Sequence, residues 1–133
     1  MKIQNILIFF LLLIIGCSSD PNKPIDIKDL EYNSVQNSYY FKNLIGQSSL
    51  FTGNIFEVDG KEEIILEGNL YKGKKDGLFK SYDPTYYTLL SEENYRNGKL
   101  DGESLYYNFD GELTEKVNFS NGKRDGITIV YNF

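Results

Sequence analysis

The sequence predicts an all-β protein: an open antiparallel β-meander of repeated hairpins, about 24 residues per unit, preceded by a signal peptide. A Gly-Lys-x-Asp-Gly segment recurs three times at a near-constant interval, which indicates stacked supersecondary units. The 11 tyrosines, 9 phenylalanines and 12 glycines suit many short strands joined by tight turns. No stretch after Cys17 shows a helical period with caps, so the pattern favours strands throughout.

The first residues are typical of a secretory signal. Residues 6–15 form an unbroken apolar run, and Lys2 is the only charged residue before Asp20. This run is too short to cross a bilayer, which takes roughly 20 residues, but it suits the core of a signal peptide. Residues 1–16 are therefore predicted to be a signal peptide.

The end of that run, Ile-Ile-Gly-Cys at residues 14–17, resembles a bacterial lipoprotein cleavage box. The resemblance implies that Cys17 is the lipidated first residue of the mature protein and that several acyl chains hold it stably on a membrane. It also implies a cell-envelope location, on the outer membrane where the host has one, because Ser18 is not an aspartate. An ordinary signal peptide with a chance cysteine is the alternative.

Composition limits the partners of the mature chain. Removal of residues 1–16 leaves 117 residues, in which 13 basic side chains stand against 19 acidic ones, a formal charge of −6. That sign argues against nucleic acid as an electrostatic partner. The polar, proline-containing residues 17–24 are predicted to be a lipidated tether, and residues 25–133 a single β-repeat domain.

The repeat glycines and aspartates are predicted to hold turns. Asp-Gly suits a tight turn on backbone grounds alone, and exposed lysine–aspartate pairs contribute under about 1 kcal/mol. The alternative is that the loop lysines line one rim and bind phosphate or acidic sugars. The predicted structural turn residues are Gly53, Gly73, Asp76, Gly77, Gly98, Asp101, Gly102, Gly122, Asp125 and Gly126.

Strands between these segments are predicted to form hairpins. Asp59-Gly60 and Asp110-Gly111 each separate two apolar-rich runs and predict two-residue turns. Residues 83–88 contain Pro84 and predict a longer loop. Residues 26–32 are interpreted as a strand rather than a helical turn.

The repeat resembles a known family. The unit Tyr-x-Asn-Gly-Lys-x-Asp-Gly is intact at residues 95–102, begins with phenylalanine at residues 119–126, and is one residue shorter at residues 71–77. It is similar to the variant MORN repeat of bacterial proteins labelled YwqK-type antitoxins, and the resemblance covers residues 39–133. It implies a repeat β-sheet and neutralising protein contacts without fixed binding residues.

Catalytic and metal sites are not predicted. The chain has no histidine, and its one cysteine is assigned to lipidation, which removes the Ser-His and Cys-His arrangements and makes zinc improbable. Equivalent aspartates two strands apart stand roughly 9–10 Å from each other, too far to share a calcium ion. We therefore expect no enzyme activity, no catalytic residue, no metal and no cofactor.

Two surfaces are candidates for binding. The last predicted strand carries no charge or proline, so its outer edge is open to strand addition by a protein partner. Adjacent tyrosine pairs offer either a surface for protein or glycan contact, or cross-strand packing. The first hypothesis is a non-enzymatic, membrane-anchored interaction module, and the alternative is an envelope glycan- or polymer-binding lipoprotein. The residues of the predicted edge are Ile127, Thr128, Ile129, Val130 and Tyr131.

Overall fold

The computed structural model describes residues 23–43 and 45–132. The predicted signal peptide, Cys17 and the first part of the tether lie outside this range. Within it the chain is nearly all β, which confirms the predicted fold class. The described residues contain no helix of the length and apolarity needed to cross a membrane.

The strands are short and follow one another closely along the chain. The only other regular element in the described range is a 3₁₀ turn at Ile27–Asp29, capped by the Asp26 side chain. The predicted strand over residues 26–32 is therefore wrong, because this turn divides it into two short strands. The strands are β1 (Ile25–Asp26), β2 (Glu31–Asn33), β3 (Ser38–Lys42), β4 (Ser48–Leu50), β5 (Gly53–Val58), β6 (Ile64–Tyr71), β7 (Lys74–Lys75), β8 (Gly77–Tyr82), β9 (Leu89–Arg96), β10 (Lys99–Tyr107), β11 (Leu113–Ser120), β12 (Lys123–Arg124) and β13 (Ile129–Val130).

Two sheets form from these strands. The large sheet has the order β1-β5-β6-β8-β9-β10-β11-β12, with β7 added to β6 and β13 added to β11. All its neighbours are antiparallel except β1 and β5, and the sheet does not close on itself. Strands β2, β3 and β4 form a separate antiparallel sheet. The main body is thus the predicted open meander.

The hairpin loops differ from the predicted two-residue Asp-Gly turns. Residues 59–63 and 108–112 form five-residue loops. The side chain of the first loop residue stabilises each: Asp59 Oδ1 accepts the N–H of Lys61 at 2.8 Å, and Asn108 Oδ1 accepts the N–H of Asp110 at 3.0 Å. This local side-chain to backbone bonding favours the wider loop over the tight turn. The longer loop at residues 83–88 is as predicted.

Two-residue turns occur instead at the other end of each unit. Lys72-Gly73, Asn97-Gly98 and Asn121-Gly122 all have positive φ at both residues, which is the type I′ geometry that matches strand twist. Gly73, Gly98 and Gly122 therefore hold turns, as predicted. Gly77, Gly102 and Gly126 do not hold such turns: Gly77 begins β8, Gly102 lies within β10, and Gly126 lies between β12 and β13. In the middle unit the break is a bulge between Leu100 and Ser104, which requires positive φ at Gly102.

Buried apolar side chains concentrate at one end of the large sheet. Leu30, Ile55, Leu70 and Phe79 form one cluster, against which Leu66 and Tyr95 pack. Gly68 opens the space that the Phe79 ring fills, since a Cβ there would approach the ring to 2.5 Å. Toward the other end Val117 is the one fully buried apolar side chain in the described range, and β12 and β13 are exposed.

Candidate protein-interaction surface

Each type I′ turn contacts the preceding unit through two hydrogen bonds. The N–H of Gly98 donates to the backbone C=O of Lys75 at 2.8 Å. The N–H of Asn97 donates to Asp76 Oδ2 at 3.2 Å. We call the two receiving oxygens, a backbone C=O and the side-chain oxygen of the next residue, the acceptor pair.

The same contact recurs in the next unit. Gly122 donates to the C=O of Leu100 at 2.7 Å, and the N–H of Asn121 donates to Asp101 Oδ2 at 3.3 Å. Arg96 lies 3.7 Å from the other oxygen of Asp101, which holds that carboxylate beside the turn. Asp76 and Asp101 therefore join units together.

The first unit carries an equivalent acceptor pair with a neutral side chain. Gly73 donates to the C=O of Phe51 at 2.6 Å, and Lys72 donates from its N–H to Thr52 Oγ1 at 2.8 Å. Gly53 follows this pair as Gly77 follows Asp76, so it belongs to the series, as predicted from its spacing. The inter-unit role of these side chains was missed in the sequence, although threonine and aspartate share one repeat position.

The last described unit carries the same acceptor pair without a turn against it. The N–H of Asp125 donates to the C=O of Asn118 at 2.8 Å, as that of Asp76 donates to Asn69 at 3.0 Å, so the backbone is placed alike. Within residues 23–43 and 45–132, no hydrogen-bond donor reaches the Asp125 carboxylate. The acceptor pair of Arg124 and Asp125 is exposed to solvent.

The predicted edge strand is present but shorter than expected. Only Ile129 and Val130 form β13, which pairs with β11, while Ile127 and Thr128 precede it. The chain re-enters the sheet at Ile129, two residues later than the sequence pattern suggests, although Gly126 has a positive φ like that of Gly77, at which β8 begins. Beyond β13, the N–H of Tyr131 donates to Thr114 C=O at 2.9 Å.

Backbone N–H groups along β13 point alternately toward β11 and toward the free edge. Since the N–H of Tyr131 faces β11, strand alternation turns the N–H of Val130 outward. In the described part of the chain no strand pairs with this outer edge, whereas the equivalent edge of β8 is paired with β9. Val130 is 64 % exposed and Ile127 82 %.

Tyrosine hydroxyls donate to carboxylates along the sheet. Tyr82 donates to Glu67 at 2.7 Å, and Tyr107 donates to Glu92 at 2.9 Å in the next unit. Burial, followed by the hydrogen bond to Glu67, raises the pKa of Tyr82 to about 12. In the last described unit, Lys116 stands at the repeat position of Glu67 and Glu92, so this unit has no carboxylate for its tyrosine at that position.

The adjacent tyrosines divide between the two faces of the sheet. Tyr106 donates to Glu93 at 3.0 Å, whereas Tyr107 donates to Glu92, on the opposite face of the neighbouring strand. Burial and the Glu93 hydrogen bond raise the pKa of Tyr106 to about 12. These phenols are half-buried and engaged within the chain, which favours the cross-strand interpretation for this pair.

A cavity of about 270 Å³ lies between the small sheet and the large one. Tyr32, Tyr39 and Tyr95 contribute aromatic walls. The Lys75 ammonium lies 4.8 Å from the centre of the Tyr95 ring, and burial lowers the pKa of Lys75. Such a lining suits a small polar ligand that stacks on aromatic rings.

Comparisons of the chain with protein-family models, curated proteins and solved structures find no match. In the part of the chain that the structure describes, no three acidic, histidine or cysteine side chains group so as to hold a metal ion.

Proposed function

We propose that the protein is a non-enzymatic interaction module of the cell envelope, anchored through lipid on Cys17, that presents its repeat sheet to a protein partner. In a host with an outer membrane, that membrane is the proposed location. The resemblance to variant MORN-repeat antitoxins favours an immunity-like form of this contact, in which the partner is neutralised.

One observation carries the proposal. The last described unit has the same acceptor groups by which earlier units bind their neighbours, and no donor in the described residues bonds to them. The outward N–H of Val130 and the acceptor pair of Arg124 and Asp125 lie along this edge. Exposed strand edges with unpaired backbone groups are a recurrent site of protein recognition.

The partner is tested by crosslinking in intact envelopes. A photoreactive residue is placed at Val130 of the full chain, and the crosslinked protein is identified and bound again in purified form. A matched probe at Lys61, in the exposed loop between β5 and β6 near the other end of the large sheet, is the control. A defined protein captured at Val130 supports the proposal, whereas no crosslink from any position on the sheet contradicts it.

The anchor is tested separately. Cys17→Ser should abolish incorporation of a labelled fatty acid and release the protein from the membrane fraction, because no other cysteine exists in the chain. Incorporation that persists in this variant would show that the lipid lies elsewhere.

A second candidate function is binding of an envelope glycan or polymer. The aromatic cavity beside Lys75 favours it, since sugars stack on exposed ring faces. A glycan array probed with the full chain and with Tyr39→Ala tests it. Glycan binding by the full chain that is lost in Tyr39→Ala would favour glycan binding in the cavity as the function.

A further inference from the structure

We propose that the acceptor pair of Arg124 and Asp125, together with the free edge of β13, docks a β-hairpin of a different protein. The hairpin strand would run antiparallel to residues 126–131. An Xaa-Gly type I′ turn at its end would donate two N–H groups, one to Arg124 C=O and one to the Asp125 carboxylate. This inference rests on the proposed function and specifies the chemistry of the partner.

The internal units supply the geometry. Strand β9 runs antiparallel to β8, from Leu89 beside Tyr82 to Tyr95 beside Gly77. The turn that follows β9 then reaches the acceptor pair of Lys75 and Asp76. A strand that ends in a type I′ turn therefore satisfies both halves of the surface at once.

The last unit offers both halves in the same order. Its acceptor pair precedes Gly126, and β13 follows, as Asp76 precedes Gly77 and β8 follows. Arg124 of β12 pairs with Phe119 of β11, as Lys75 of β7 pairs with Leu70 of β6. The C=O of Arg124 therefore faces outward from β11, as that of Lys75 faces outward from β6. The surface thus repeats one that receives a hairpin three times within the described residues.

A second copy of this chain does not supply the donors. The two N–H groups of each type I′ turn in the described residues are already bonded to the preceding unit. At the Lys72-Gly73 turn, the Gly73 C=O also accepts the N–H of Tyr39 from the small sheet. Head-to-tail stacking of copies would require displacing these contacts, so a different chain is the occupant.

The edge also indicates the partner's side chains. Arg124 already pairs with Glu115 at 3.1 Å, whereas the Asp125 carboxylate has no ion pair among the described residues. Ile127, Ile129 and Val130 are exposed along the edge. We infer an apolar strand whose turn is uncharged or basic, of the Asn-Gly or Lys-Gly kind found within this chain.

The test uses an internal unit as the probe. A head-to-tail cyclised peptide with the sequence of residues 89–107 contains β9, the Asn97-Gly98 turn and β10. We expect it to bind the full chain, held in detergent, in a fluorescence anisotropy titration. Asp125→Ala should weaken binding at least about tenfold, because a hydrogen bond to a charged group is lost. Val130→Pro should weaken it as well, since it removes an outward N–H but leaves the bonds to β11.

Matched controls separate the surface from non-specific binding. Asp110→Ala removes an equally exposed acidic group and should leave the affinity unchanged. A peptide with Gly98→Val should not bind, because valine does not readily adopt the positive φ of the turn. Equal affinities for the wild-type chain and Asp125→Ala, or no binding by the wild-type peptide, would overturn the inference.

The outcomes also distinguish this inference from the proposed function. A partner that crosslinks through another face, together with a failed peptide titration, overturns the hairpin surface and leaves the interaction module standing. Concentration-dependent self-association that Asp125→Ala abolishes would overturn the choice of a different chain. The absence of any envelope partner would remove the proposed function as well.

Discussion

The two ends of the large sheet are held together by different means. At the N-terminal end Leu30, Ile55, Leu70 and Phe79 form a buried cluster, and the small sheet bonds to the turn at Gly73. At the C-terminal end Val117 alone is buried among the apolar side chains of the described strands. There the sheet depends on ladder hydrogen bonds, tyrosine–carboxylate pairs and the acceptor pairs between units.

The acceptor pairs differ along the sheet in the same direction. The first acceptor pair lies at the end of the sheet that contains the buried cluster, and the two middle pairs accept hydrogen bonds from the turn of the next unit. The last pair is open, although its backbone is placed in the same way.

The largest expected effect lies in the covered end. Phe79→Ala should lower the free energy of unfolding by about 3–5 kcal/mol, because it empties the centre of the cluster. Val117→Ala should cost about 1–2 kcal/mol, since it removes only two carbons. Urea denaturation of both variants measures the difference, and equal losses would contradict the uneven distribution of the core.

The next effect tests the backbone of the middle unit. Gly102→Val should cost about 1–3 kcal/mol, because Gly102 has a φ of +109° and a Cβ there would lie 3.4 Å from Asn94. Lys99→Ala, on an exposed side chain of the same unit, should change stability by at most about 0.5 kcal/mol. Similar melting temperatures for the two variants would show that the conformation at Gly102 does not require glycine.

The smallest effect concerns the tyrosine–carboxylate pairs. The raised pKa of Tyr82 means that its contribution to stability is fully present below about pH 10 and is lost as pH rises toward about 12. Tyr82→Phe should remove a late step from the alkaline absorbance titration of the tyrosines. Glu67→Gln should lower the pKa of Tyr82 without restoring its ordinary value, because burial is the larger cause. An unchanged titration in both variants would show that the Tyr82–Glu67 hydrogen bond does not raise the pKa of Tyr82.

The sequence predicted the units and not the way in which they join. The near-constant spacing of Gly53, Gly77, Gly102 and Gly126 was sufficient for the open meander. The predicted turn residues covered both ends of each Gly-Lys-x-Asp-Gly segment, and only the first glycine of each holds a turn, because Asp-Gly and Asn-Gly both favour turns and only pairing across strands separates them. The role of Asp76 and Asp101 depends on a contact between units, which local propensity does not encode.

The C-terminal edge shows the same limit. The apolar residues 127–131 predict a strand of that length, whereas only Ile129 and Val130 of the observed β13 pair with β11. The open edge itself was predictable from the sequence. The acceptor pair beside it was not, since its meaning depends on the filled pairs of earlier units.

The most direct test of the central claim is amide hydrogen exchange of the Asn121 N–H, measured by NMR on the full chain. If the Asp101 carboxylate holds this turn, Asp101→Ala should lower Asn121 protection about tenfold. Asp101→Asn, which keeps an acceptor oxygen, should retain most of it, and Asp125→Ala should leave it unchanged. Unchanged protection in Asp101→Ala, or an equal loss in Asp125→Ala, would contradict the stacking of units through their acceptor pairs.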